Sequence, residues 1–220
     1  MRGIGGVRRV CTGTMKKAVL MLVFWASTAA TVQALITGSA HDFSGRGWGS
    51  NEICVFCHTT HNAKGTVPGS PLWNHEVSTA TYTLYSSPTL QQTPQQPRGP
   101  SKLCLSCHDG TVAIDSFGNR SGTHFITDSA NLTTNLSDDH PISIYWNHQT
   151  MWNHDTMTGD APPCSNCHTF GNPLQYNLPF FNRYMECATC HEPHNKYPAN
   201  SRMLRRELAG SAICLHCHGR

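Results

Sequence analysis

The longest apolar run in the chain is Ala18 to Ala26, behind Lys16-Lys17 and ahead of a small-residue stretch ending Val32-Gln33-Ala34. A basic flank, an apolar centre and a small-x-small end form the pattern of an export signal cut after Ala34. Residues 1–34 are therefore read as a signal peptide, with Met15 as the expected start, because residues 1–14 add nothing such a signal needs. An uncleaved anchor is the alternative, but the apolar part is short for a bilayer and Ser27 to Gln33 is polar. Beyond Ala34 neither a 3.6- nor a 2-residue period is sustained. Thr81-Tyr82-Thr83-Leu84-Tyr85 alternates and predicts a short strand. Pro88 to Pro100, with four Pro and four Gln, predicts a surface loop. Ser201 to Leu208 predicts a last helix capped by Ser201 and carrying Arg205-Arg206. The expected fold class is mostly irregular, with short α-helices and little β-structure. No linker divides residues 35–220, which are read as one domain.

Five copies of Cys-x-x-Cys-His punctuate this pattern: Cys54/Cys57/His58, Cys104/Cys107/His108, Cys164/Cys167/His168, Cys187/Cys190/His191 and Cys214/Cys217/His218. This is the attachment signature of c-type haem. Two thiols one turn apart add to the porphyrin vinyl groups, and the adjacent His becomes the proximal iron ligand. Zinc or a disulfide framework would also use paired cysteines, but neither needs a His after each pair. With 14 His in 220 residues, five such histidines by chance have a probability on the order of one in a million. Five covalent haems are expected, attached by those ten cysteines with those five histidines as proximal ligands. The motifs begin 50, 60, 23 and 27 residues apart, so the C-terminal half is the denser cluster. About 37 residues per motif cannot build an ordinary core around each haem, so the porphyrins would serve as the core.

Charge adds one correction. The formal net charge is +3, but five of the 16 Lys and Arg lie in residues 1–34 and all 13 acids follow it. The remainder carries 11 basic and 13 acidic residues, a formal charge of −2. No basic run or binding module suggests nucleic acid. Cys11 lies before the apolar run, so it is not a lipoprotein cysteine.

The nine remaining histidines supply the second axial ligands. His41, His61, His75, His140 and His194 are the leading distal candidates, with His148, His154 and His124 ranked below them. His61 and His194 each lie three residues after a proximal His. One helical turn separates such a pair by only about 5–6 Å, so the second His must serve a neighbouring haem. His75 lies in a Trp-Asn-His tripeptide that recurs at Trp146-Asn147-His148 and Trp152-Asn153-His154. Bis-His irons are six-coordinate and low in potential, and none of Met151, Met157, Met185 or Met203 stands in a familiar ligand context.

The stretches His41-Asp42-Phe43-Ser44, Cys54 to His61, Pro71 to His75, Leu103 to Thr111, Asp138 to Ser143, Cys187 to His194, Leu204-Arg205 and Cys214 to His218 resemble bacterial multihaem cytochromes with doubled Cys-x-x-Cys-His motifs. Some of that group look like the extracellular nanowire cytochromes of metal-reducing bacteria, in which haems stack and protomers polymerise. The resemblance implies an exported electron carrier, periplasmic or at the cell surface. It also implies self-association into a filament, with His41 as the inter-subunit ligand. Redox partner proteins or extracellular acceptors would be the other partners. The departure is the third motif, because the small filament formers carry four haems. Its distal ligand is open between His148 and His154. A monomeric periplasmic shuttle is one alternative. A multihaem enzyme with an open iron is another, against which all five motifs end in His rather than in the lysine of pentahaem nitrite reductases; no catalytic residue is assigned.

Overall fold

A computed structural model describes residues 36–90, 92–145 and 178–218. Residues 1–34, read from the sequence as a signal peptide, the third motif (Cys164, Cys167, His168), His148, His154, Met151 and Met157 lie outside them. The expected fold class is the one found. The regular elements are helix α1 (Gly99–His108), strand β1 (Ile144–Tyr145), strand β2 (Tyr184–Met185), helix α2 (Cys187–Cys190) and 3-10 turns at Ser201–Met203, Ala209–Ser211 and Cys214–His216. Strands β1 and β2 pair antiparallel, with Ile144 opposite Met185. Among the described residues no helix is long and apolar enough to cross a membrane.

Helix α1 starts at Gly99-Pro100, where proline's fixed φ suits a first turn and its missing N–H costs nothing. It stops after His108 because Gly110 takes φ 73°, with its amide bonded to Cys107 O at 3.1 Å. A side chain at Gly110 would also strike the Asn131 amide. Helix α2 packs against α1, and the Cys187 amide donates to the fully buried Ser101 hydroxyl at 2.8 Å. Glu186 and Thr189 close a capping box at its start.

Apolar packing is divided among small clusters. Tyr82, Leu105 and Leu136 form one, flanked by Ala80, Leu84 and Ile142. Leu178, Leu204 and Ile213 form another beside Cys190. Phe56 packs edge-on to Phe43 at 5.3 Å and against Phe117 at 4.6 Å, forming an aromatic third. Between them, buried Ser78 and Tyr82 donate to Asp109 at 2.5 and 2.6 Å, and Ser143 donates to Glu186 at 2.8 Å. Polar side chains can be buried here because each finds a partner.

Three sequence expectations change. Thr81 to Tyr85 makes only one bridge, Thr83 with Asn135. Its alternation is real but serves packing, with Tyr82 buried and Leu84 against the same cluster. The loop from Pro88 ends inside α1, and it is pinned: the Gln96 side chain brackets the Tyr82 backbone at 2.9 Å in both directions. Ser201 to Leu208 is not a helix. Arg202 and Met203 take φ 55° and 54°, and Leu204 instead bridges His191. The Arg205 amide and guanidinium are drawn to Cys190 O and Ala188 O, both at 2.8 Å, which pulls this segment across α2.

Leu105→Ala should cost about 3 kcal/mol, because the residue is 1 % exposed at the centre of the largest described cluster. Thermal unfolding followed by circular dichroism checks this; a loss under about 1 kcal/mol would mean that the cluster is not a core.

Candidate functional site

Each of the four described motifs forms one helical turn, as the chemistry of two neighbouring cysteines and a following His requires. His58 N–H donates to Cys54 O at 2.8 Å, and His191 and His218 repeat the bond to Cys187 and Cys214 at 2.9 Å. Cys104 and His108 lie on α1. The turn differs in context: plain turns at Cys54, the long α1 at Cys104, four residues of α2 at Cys187 and a 3-10 turn at Cys214.

No disulfide joins any of the eight described cysteines. No disulfide framework forms among them. Burial pushes the Cys57 thiol up to about 11 and holds Cys107 higher still. The Cys104 and Cys187 thiols share a hydrogen bond that raises the first and lowers the second, so the second and fourth motifs bring their sulfurs together. Structural zinc needs four Cys or His ligands gathered around one ion. Among the described residues no three His, Cys, Asp or Glu gather around a common point. The raised thiols of Cys57, Cys104, Cys107 and Cys190 instead favour neutral sulfur, as in a thioether, which carries no charge to desolvate.

Six of the described histidines lie in three close ring pairs. His58 and His194 rings lie 6.1 Å apart, centre to centre, with planes at 15°. His41 and His108 lie 6.1 Å apart at 53°. His140 and His218 lie 6.3 Å apart at 78°. Metal–nitrogen bonds of about 2 Å, plus roughly 1.1 Å from each nitrogen to its ring centre, put two imidazoles on one metal about 6.2 Å apart. Two axial ligands without further protein donors leave the equatorial positions to a macrocycle.

The second nitrogens confirm the orientation. Nδ1 donates to a backbone carbonyl in His58 (Pro71 O, 2.6 Å), His108 (Ala130 O, 2.8 Å), His191 (Arg202 O, 2.9 Å), His41 (Pro193 O, 3.1 Å) and His140 (Pro141 O, 3.0 Å). In His194 it donates to the Glu192 carboxylate at 3.0 Å. A carbonyl only accepts, so the proton sits on Nδ1 and the lone pair on Nε2. Burial, above all, lowers the pKa of His41 and keeps its ring neutral. Trp73 contributes a further fit: its Nε1 is the buried side-chain polar atom left without a partner among the described residues, and its ring stands edge-on to His58. A carboxylate such as a haem propionate is the acceptor this donor lacks. The residues present therefore fit haem c.

Six of the eight distal candidates lie among the described residues, and they divide clearly. His41, His140 and His194 oppose proximal histidines. His61 is exposed and opposes none among the described residues. His75 is buried, with Nδ1 2.7 Å from Glu76 O and Nε2 3.0 Å from Ala113 O, and the structure does not bring it opposite a proximal His. His124 is accounted for otherwise: Nδ1 donates to Asp115 at 2.9 Å and the ring stacks on Trp48 at 4.6 Å. Burial opposes the Asp115 charge, but the His124 amide and ring hold its carboxyl below the ordinary range. His41, expected as an inter-subunit ligand, has its ring centre 6.1 Å from that of His108 of the same chain. Sequence reasoning missed Glu192 and the anchoring carbonyls, whereas Trp73 was already marked by its Trp-Asn-His tripeptide. An acid inside Cys190-His191-Glu192-Pro193-His194 was the one visible signal.

The family model of the doubled CXXCH motif matches residues 179–220, which hold the last two motifs. No curated protein matches the chain. The doubled motif supports a multihaem c-type cytochrome-like protein with covalent haem c at its Cys-x-x-Cys-His motifs.

His194→Ala should leave the number of attached haems unchanged, because no cysteine is touched, and should open one iron. The reduced variant is expected to bind one additional carbon monoxide per chain, read by absorbance; unchanged binding would separate His194 from His58.

Proposed function

We propose that this chain is an exported electron carrier with five covalent haems, and that copies of it join end to end through a histidine of one and a haem of the next. Haem c supplies one-electron exchange at iron. The chain supplies attachment, ligands and separation. Cys54, Cys57, Cys104, Cys107, Cys164, Cys167, Cys187, Cys190, Cys214 and Cys217 hold the haems. His58, His108, His168, His191 and His218 are the proximal ligands. His194, His41 and His140 fill the opposite places at His58, His108 and His218.

The observation that carries the polymer is an imbalance within a repeated pattern. His58-x-x-His61 and His191-x-x-His194 are the same motif extension. His194 opposes His58, whereas His191 has no opposed histidine among the described residues, nor has His61. Both are exposed. His61 of one copy, facing His191 of the next, would repeat between copies the pairing seen within one. This replaces His41 as the joining ligand. His191 presents a proton-bearing Nδ1 fixed to Arg202 O, so its other nitrogen is already aimed.

The same imbalance favours one second reading, a carrier or reductase with an open iron at His191. The two are separated by His61→Ala in the haem-loaded protein. Under the polymer reading the wild type forms filaments in electron micrographs and binds no carbon monoxide, while His61→Ala stays unassembled and binds one per chain. Wild-type particles that remain single and bind carbon monoxide favour the open-iron reading. Normal filaments in His61→Ala would remove His61 from the joint.

A further inference from the structure

The six anchored histidines are not anchored alike. Five donate Nδ1–H to a backbone carbonyl, a neutral acceptor. His194 alone among them donates to a carboxylate, Glu192 Oε1, at 3.0 Å. That carboxylate is itself held in place. Its Oε2 accepts the Lys196 amide at 2.9 Å, and the Glu192 backbone amide bonds to Met203 O at 2.8 Å. The Glu192 side chain is 10 % exposed, so water screens it little. The adjoining Pro193 carbonyl anchors His41. Two successive residues thus orient the distal histidines of two different haems, one through a dipole and the other through a full charge.

A hydrogen bond from imidazole to a carboxylate is charge-assisted and roughly twice as strong as one to a neutral acceptor. It moves electron density onto the imidazole and makes Nε2 a better donor. A better donor stabilises ferric iron more than ferrous iron, which lowers the reduction potential. We infer that Glu192 is a positioning residue that, through His194, makes the haem attached at Cys54 and Cys57 the lowest in potential of the three with described His pairs. The inference rests on the haem reading above and on the His58–His194 pairing.

The pairing also supplies a label. Nearly parallel imidazole planes split the iron π orbitals and give a rhombic low-spin resonance; strongly crossed planes leave those orbitals nearly degenerate and give a highly anisotropic one. The rings stand at 15° for His58–His194, against 53° for His41–His108 and 78° for His140–His218. Among the three haems with described pairs, the rhombic signal therefore reports the one that Glu192 acts on.

The test is a redox titration of the haem-loaded full chain, followed by electron paramagnetic resonance at one fixed pH, in wild type, Glu192→Gln and Glu192→Asp. Gln keeps an acceptor oxygen and removes the charge. The rhombic signal is expected to titrate below both anisotropic signals in wild type. It should move upward in Glu192→Gln by more than either anisotropic signal, and return toward wild type in Glu192→Asp. Haem content serves as the control for folding. A rhombic signal that titrates alike in wild type and Glu192→Gln overturns the inference and leaves the haem reading standing. A wild-type spectrum with low-spin haem but no rhombic component overturns the pairing and the inference together.

Discussion

An imidazole offers one nitrogen to a metal with a defined direction only when its other nitrogen is held. That constraint organises most of this structure. The carbonyls of Pro71, Ala130, Arg202, Pro193 and Pro141 each hold one ring. Three of those acceptors are proline carbonyls, on a residue whose fixed φ limits how far the carbonyl can swing. The irregular segments between motifs are thus the frame that aims the ligands. Their positions owe more to these bonds than to helix or sheet.

The small size of the apolar clusters among the described residues fits the same arrangement. The described clusters are three side chains each, and the largest polar interior, around Asp109 and Glu186, lies beside cysteines of the second and fourth motifs. Porphyrin rings are large apolar plates, and burying them would supply what the side chains do not. Short elements suffice when their task is to present two sulfurs and a ring within one turn. Helix α1 is longer than that task needs because Leu103 and Leu105 also face inward.

Connectivity is not sequence order. His194 of the fourth motif's segment reaches the first motif, His41 from the start of the described chain reaches the second, and His140 reaches the last. Pro193 and Glu192 then tie the first two of these together. The Cys187–His194 stretch is therefore the place where several attachment sites converge. Its short helix and its extended exit at His191, φ −103° and ψ 147°, let ligands three residues apart point toward different partners. A continuous helix would have put both on one face.

The motifs, their chemistry, the low content of regular structure and the neighbour-serving geometry of His194 were legible in the residues, because each follows from covalent spacing. Cys-x-x-Cys-His needs one turn wherever it lies, and His three residues after His cannot reach its own iron. What distinguished one spare histidine from another was not local. His75 and His140 each stand beside a distinctive neighbour, a tryptophan two residues before or a proline directly after, yet one ring is buried between carbonyls and the other faces His218. His124 had no distinguishing neighbour because its partners, Asp115 and Trp48, are 9 and 76 residues away. The helix expected over Ser201 to Leu208 failed for the same reason, since bonds from Arg205 to α2 outweighed local propensity. Spacing along the chain decided which groups are covalently joined to haem. Only the tertiary structure decided which ring stands across from which, because that choice is made by carbonyls, carboxylates and packing brought in from distant segments.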